Sequence, residues 1–428
     1  MSLSPTPTRR PTAPARRPSR SWLSLLFLLA CHQLRAHAPA DIAHLNQQIT
    51  PITAVRAGSG FADLTALAAL VAPARVVGMG ECTHGSHEVF QLKHRLLEYL
   101  VTQQGFTTLA LEVDYGWGEI LNEYIQTGAG DSLTIHQAVG FHVWDTTEFW
   151  DMVEWMRAYN QQHATKIRYV GIDMQDATPN LLRLEHFATQ RADTALGRRV
   201  RNLRTYYAAL DQVSADTKQR ITRLSDELMQ HLQVVAAPAA LQQHGQVLRQ
   251  RAGLLQAANG LKMRDQAMVT NVAWLLQQEP TAKVVVWAHN QHIRRDEDQP
   301  MLGQGLARQL GPAYVAVGFT TGHGTASVFA PDGSARALIL APPVPNSFES
   351  WLDQATPPTY LLNLRRTTAA DKWLTTRRKF RFIGEGERPG GAKGQFWWYP
   401  PLPKAFDVLF YLHETSASQP YRAAHPAR

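Results

Sequence analysis

Two histidine pairs with one shared spacing stand out in this chain: His84 and His87 in GMGECTHGSHE, and His289 and His292 in VVVWAHNQHI. Each pair follows a short apolar run that reads as a buried strand, and the ends of such strands are where open α/β folds build ligand crevices. The first loop also holds Glu81 and Glu88, with Gly78, Gly80 and Gly85 around them to permit sharp turns and close backbone approach. A histidine beside a carboxylate is a general-base arrangement, because the carboxylate orients the ring and stabilises its protonated form. Glu81 and His84 are three residues apart and can meet across one turn.

Further chemistry-bearing residues sit at the ends of later apolar runs. Glu112 closes the run before Val113-Asp114, and a carboxylate placed there is costly to bury without a partner. Asp173 occupies the same position after Val170-Gly171-Ile172 and could instead cap the following helix. His289 stands at its strand end as His84 does, Asn290 could hold a ring or a substrate carbonyl, and His292 is placed to support them. His87 and Glu88 fall at a helix start, where the macrodipole favours an acid. Cys82 lies between Glu81 and Thr83 and reads as a small packing residue rather than a nucleophile. There is no Gly-x-Ser-x-Gly elbow, so activated water suits these residues better than a serine acyl-enzyme.

The elements needed to position these groups are those of an α/β fold, a mostly parallel sheet flanked by helices. Strands are expected at 75–79, 107–113, 167–172, 283–288, 314–319, 359–362 and 408–412, several of them apolar throughout, as strands covered on both faces should be. Helical periodicity marks 88–104, 115–127, 132–139, 146–163 and 263–278. The stretch at about 180–262 has helical periodicity with few strand signals and reads as an insertion of two or three long helices that shapes the cleft. The 384–394 stretch is Gly-rich and reads as a flexible loop, with the Phe396-Trp397-Trp398-Tyr399 cluster after it anchored by packing.

The 428 residues are 44% hydrophobic and 18% charged, which fits a globular chain with a large core. The formal charge of +8 is largely local: Arg9, Arg10, Arg16, Arg17, Arg20 and Arg35 all precede residue 40. The body is close to neutral, so nucleic-acid binding is not implied. Basic residues, then an apolar run at 22–30, then small residues are the order of an export signal, and the run is too short to span a bilayer. Leu28-Leu29-Ala30-Cys31 offers a lipoprotein-type processing site with Cys31 as lipid anchor, and Ala36-His37-Ala38 a simple cleavage site. The expected organisation is an export signal and flexible N-terminus at 1–40, one catalytic domain at 41–415 and an unstructured tail at 416–428. An exported protein follows, with membrane attachment through Cys31 if that site is used.

The blocks are also recognisable together. Gly-x-Gly-Glu-x-Thr-His-Gly-x-x-Glu at 78–88 resembles the signature loop of the erythromycin esterase family. Leu111-Glu112-Val113-Asp114, Gly171-Ile172-Asp173, Arg264-Asp265-x-x-Met268 with Asn271, and Ala288-His289-Asn290-x-His292 resemble its later blocks in order. The resemblance implies an α/β fold with a helical insertion and hydrolysis of a lactone or other ester by added water, without a required cofactor or metal. It makes His84 the general base with Glu81 beside it, and places Glu112, Arg264 and His289 in the catalytic cleft. Lys93, His292, Asn290, Asp173, His87 and Glu88 are then expected around the substrate. The family often carries an arginine where this chain has Lys93, and lysine keeps the charge but loses the bidentate fork.

The leading reading is therefore a hydrolase of a small-molecule ester or lactone. Two alternatives use the same histidines. The His-x-x-His pairs with Glu81, Glu88 and Glu112 supply ligands for a metal-dependent hydrolase, although neither pair has the helical His-Glu-x-x-His spacing. A haem- or polyketide-binding module without turnover would use them as ligands instead.

Overall fold

The apolar runs become the middle of one large sheet. The computed structural model describes residues 39–140, 142–209, 214–330, 334–384, 386 and 390–421. The expected export signal and Cys31 lie outside the described residues. Nine strands form the sheet: β1 (Ile49–Pro51), β2 (Val76–Met79), β3 (Thr108–Asp114), β4 (Arg168–Asp173), β5 (Val284–Trp287), β6 (Tyr314–Phe329), β7 (Ala335–Ile339), β8 (Thr359–Asn363) and β11 (Val408–Thr415). Their order is β1-β8-β11-β6-β2-β5-β3-β4, with β7 pairing to β6. From β11 to β4 all neighbours are parallel, whereas β8 and β1 close that edge antiparallel. Strands β2, β3 and β5 are buried along their whole length, which explains their largely apolar make-up.

Helices α1 (His87–Gln104), α2 (Tyr115–Thr127), α3 (Ser132–Gln137) and α4 (Thr147–Gln162) fall where periodicity placed them. Ser86 starts α1 by accepting from the Val89 N–H, and Gly105 ends it at φ 71°, a left-handed stop. The insertion is four helices rather than two or three: α5 (Thr178–Gln190), α6 (Thr194–Tyr207), α7 (Ala215–Val234) and α8 (Ala239–Gln256). They enclose an apolar core of their own, including Leu184, Leu196, Val200, Ile221, Leu228 and Leu248. Helix α9 (Gly260–Gln278) then returns to the sheet, and the four-residue α10 (Asn290–Ile293) follows β5.

Three local expectations are corrected. Strand β6 runs on to Phe329 because beyond residue 319 its polar TTGHGT stretch pairs with β11 and then β7. Around the Gly-rich loop, β9 (Arg378–Arg381) and β10 (Phe396–Tyr399) form a two-stranded hairpin. In β10, Phe396 and Tyr399 are buried, whereas Trp397 and Trp398 are exposed, with Trp397 stacked on Phe382 at 4.8 Å. Residues 416–421, expected in an unstructured tail, are tied down: the Ser416 and Gln419 N–H groups donate to Glu88 and Glu148, and the Tyr421 N–H to the Asp145 carbonyl.

Candidate active site

The carboxyl ends of β2, β3, β4 and β5 deliver their polar residues to one cavity of about 670 Å³. His84, Glu112, Arg264, His289 and His292 line it with Trp144, Phe382, Trp397, Trp398 and Tyr399. His84 also borders a smaller cavity of about 110 Å³ beside Val143, Ser327 and Ser418. Its loop is pressed against β6 at Gly85, where a Cβ would stand 1.9 Å from the Ser327 carbonyl oxygen. Only glycine allows that approach, and it sets where His84 emerges.

His84 is held by a fully buried carboxylate. Its Nδ1 lies 2.7 Å from Glu81 Oε1, so Nδ1–H donates and Nε2 keeps its lone pair. The other Glu81 oxygen accepts from Lys93 Nζ at 2.7 Å and Trp287 Nε1 at 2.8 Å. Burial pulls Lys93 down to about 8, working against its attraction to Glu81, and the ammonium also sits 3.8 Å from the Trp287 ring centre. Cys82 is excluded as a nucleophile, because burial pushes its thiol up to about 12.

His289 faces His84, with ring centroids 5.2 Å apart. It is the N-cap of α10, and its Nδ1 accepts from the Gln291 N–H at 3.1 Å. The proton of the neutral ring therefore sits on Nε2, a buried nitrogen with no hydrogen-bond partner in the described structure. Burial, reinforced by His84 and His292 nearby, holds this ring well below the usual histidine range. His289 is thus a neutral imidazole presenting an N–H donor, with Phe382 packed edge-on at 4.5 Å.

Beneath the two rings runs an ionic lattice. Arg264 donates to Asp173 Oδ2 from Nε at 2.9 Å and Nη2 at 2.6 Å, and from Nη2 to Glu112 Oε1 at 2.7 Å. His292 lies between Asp265, 2.9 Å from Nδ1, and Glu112, 3.2 Å from Nε2. Burial opposes its charge, yet those two carboxylates raise it to about 10, so it stands as an imidazolium. Burial likewise opposes the charge on Glu112, but the His292 and Arg264 cations keep its carboxyl well below the usual range. Glu112 Oε2 then accepts from the His289 N–H at 3.1 Å, which locks the second ring's backbone to the lattice.

Several residues expected at the substrate do other work. Lys93 is fully buried behind Glu81 and orients it. Asn290 spends its carboxamide on the Phe319 backbone of β6, donating at 2.7 Å and accepting at 3.2 Å. Asp173 is buried under Arg264. His87 pairs with Glu148 on α4, and Glu88 accepts from Thr415 and Ser416, so both fasten α1 to its surroundings. His292 lines the cavity but is committed to Glu112 and Asp265. Of the stretch expected to shape the cleft, only Leu261, at the start of α9, is among the described lining residues, and none of α5–α8 is.

Sequence reasoning missed Asp265, Trp144, Phe382, Trp397 and Trp398 as parts of the site. Asp265 adjoins Arg264 on α9, and its contact with His292, 27 residues on, has no signal along the chain. Trp397 and Trp398 are adjacent and so point to opposite sides of their strand, which left no periodic signal that both would border the cleft.

The fold and cleft define a class: an α/β protein with a histidine–carboxylate pair opposite a neutral imidazole donor. The chain belongs to the erythromycin esterase family, whose model matches residues 101–415. That match begins after the 78–88 loop, which the fold brings to the same cavity independently. The chain is 26% identical to erythromycin esterase type II of Escherichia coli over 317 residues, 63% of this chain and 74% of the relative. Among solved structures, it resembles a succinoglycan biosynthesis protein with a TM-score of 0.77 at 26% identity, covering 89% of this chain and 98% of the other. It also shares the fold of a mutant erythromycin esterase in its open conformation, with a TM-score of 0.66 at 18% identity over 83% and 94% of the two chains.

Proposed function

We propose that the protein hydrolyses a carboxylic ester or lactone by histidine-activated water. The observation that carries this reading is the asymmetry of the two facing rings. Glu81 leaves His84 with a free Nε2 lone pair, and the α10 backbone leaves His289 with a free Nε2–H. A water between the rings gives its proton to His84 as its oxygen attacks the substrate carbonyl, while His289 donates to the oxygen that becomes negative. Collapse of the tetrahedral intermediate expels the alcohol, which takes the proton back from His84. Arg264 is engaged by Glu112 and Asp173, so its part is to hold Glu112, which fixes His289, rather than to meet the oxyanion.

The family membership and the relatives named as erythromycin esterases support an ester-cleaving activity. The wide aromatic cleft suits a bulky substrate with flat apolar faces, a macrolide-like lactone or an acylated sugar. The N-terminal sequence supports export, with Cys31 as a lipid anchor if the first processing site is used. A screen of ester and lactone hydrolysis by the wild type beside His84→Ala tests the proposal. Turnover by the wild type and its loss in the variant are expected; equal rates would remove His84 from the role of base.

A further inference from the structure

We propose that His323, Asp353 and His413 form a divalent-metal site of the zinc type, outside the catalytic cleft, that ties three distant segments of the chain together. Among the described residues this is the grouping of histidine and carboxylate atoms compact enough to hold an ion, with all three ligand atoms within 4.8 Å of one another. None of the three lines the cavity that holds His84 and His289.

The three side chains meet beside two neighbouring strands. Strands β6 and β11 run parallel, with Glu414 opposite His323. His413, next to Glu414, brings its ring to the His323 ring, with the two imidazole centroids 4.9 Å apart. Asp353, the C-cap of the short helix Glu349–Leu352, reaches over them. Its Oδ2 is 2.9 Å from His323 Nε2 and its Oδ1 3.0 Å from His413 Nδ1. Ligand atoms around a tetrahedral zinc ion, each about 2.0–2.1 Å from it, stand roughly 3.3 Å apart. The two nitrogen–oxygen separations are already near that size, so binding asks only for small side-chain rotations.

The donor set also selects the ion. Two imidazoles and one carboxylate suit zinc and its first-row neighbours, whereas magnesium and calcium prefer all-oxygen sites. The Tyr411 hydroxyl donates to Asp353 Oδ1 at 2.5 Å and orients the carboxylate from behind. Space for this arrangement comes from Gly322, where a Cβ would stand 2.3 Å from the Tyr411 hydroxyl and 2.8 Å from Asp353 Oδ1. His413 and His323 are 47% and 34% exposed, so an ion and a completing water can reach the site.

An ion here links β6, β11 and the segment after residue 352. The carbonyls of Thr321 and Gly322, next to His323, accept from Arg381 of β9, whose neighbour Phe382 packs on His289. The bound ion therefore stiffens the support of the cleft wall without entering the chemistry.

The test is calorimetric titration of zinc into chelator-stripped protein made without a histidine tag, with thermal unfolding measured in parallel. The wild type should take up one equivalent that raises its Tm. His413→Ala and His323→Ala should each weaken binding more than tenfold and lose the Tm shift, while His84→Ala keeps both. Absence of saturable binding in the wild type, or binding unchanged in both site variants, overturns the proposal. So does binding that His84→Ala abolishes and His413→Ala spares, since that would put the ion in the cleft.

Discussion

Glu81→Gln isolates the group that prepares the base. The substitution keeps the shape, and the carboxamide oxygen can still accept from Lys93 and Trp287. Its NH2 then faces His84 Nδ1, which Glu81 now contacts at 2.7 Å. A donor there forces Nδ1 to accept, which moves the ring proton to Nε2 and removes the lone pair from the cavity. The charge that stabilises the imidazolium formed during attack is lost as well. Two unit charges about 4 Å apart in surroundings of effective dielectric about 20 attract by about 4 kcal/mol, and that is roughly a thousandfold in rate. Initial-rate kinetics on the best ester from the screen should therefore show kcat lower by about 10³. KM should stay within a few-fold, because Glu81 does not line the cavity. A kcat within tenfold of the wild type, in a variant of unchanged Tm, would refute the argument.

Removing the neutral donor by His289→Ala should lower kcat by about 10²–10³ in the same assay. Lys93 is held near 8, so its proton is lost as pH rises through that value and Glu81 loses its cation; activity should fall on the alkaline side from about pH 8. In Lys93→Arg the charge persists, and a pH–rate profile should show that limb moved upward. His292 is raised from 6.5 to about 10, so its stabilising charge is fully present below 6.5 and disappears as pH rises through 10. Urea unfolding should show His292→Gln destabilised by on the order of 3–5 kcal/mol at pH 6, with the gap closing toward pH 10. Trp398→Ala, which trims an exposed wall of the cleft, should raise KM about tenfold, a loss of about 1.4 kcal/mol, with little change in kcat.

The sequence made the sheet legible because its central strands are buried on both faces and must be apolar throughout, as in Val284–Trp287. It marked the strand-end polar residues for the same reason, since a carboxylate such as Glu112 in that position needs a partner. What it could not show was which partner. Lys93 and Asn290 look like substrate ligands when read along the chain, yet one points at Glu81 and the other at the β6 backbone. Those roles come from contacts 12 and 29 residues away. The two histidine pairs share a spacing but not a function: His84 and His289 meet at the cavity, His292 is a buried cation, and His87 fastens α1 to α4. The aromatic wall was hidden because β9 and β10 are short, polar at β9 and separated by a Gly-rich loop.

The central claim is that His84 is the base that activates water. Its most direct test is the kcat of His84→Ala on an ester the wild type cleaves, without and with added imidazole. The structure predicts a fall of about 10²–10⁴, partly restored as free imidazole fills the space beside Glu81 and His289. Hydrolysis by His84→Ala at the wild-type rate would contradict it.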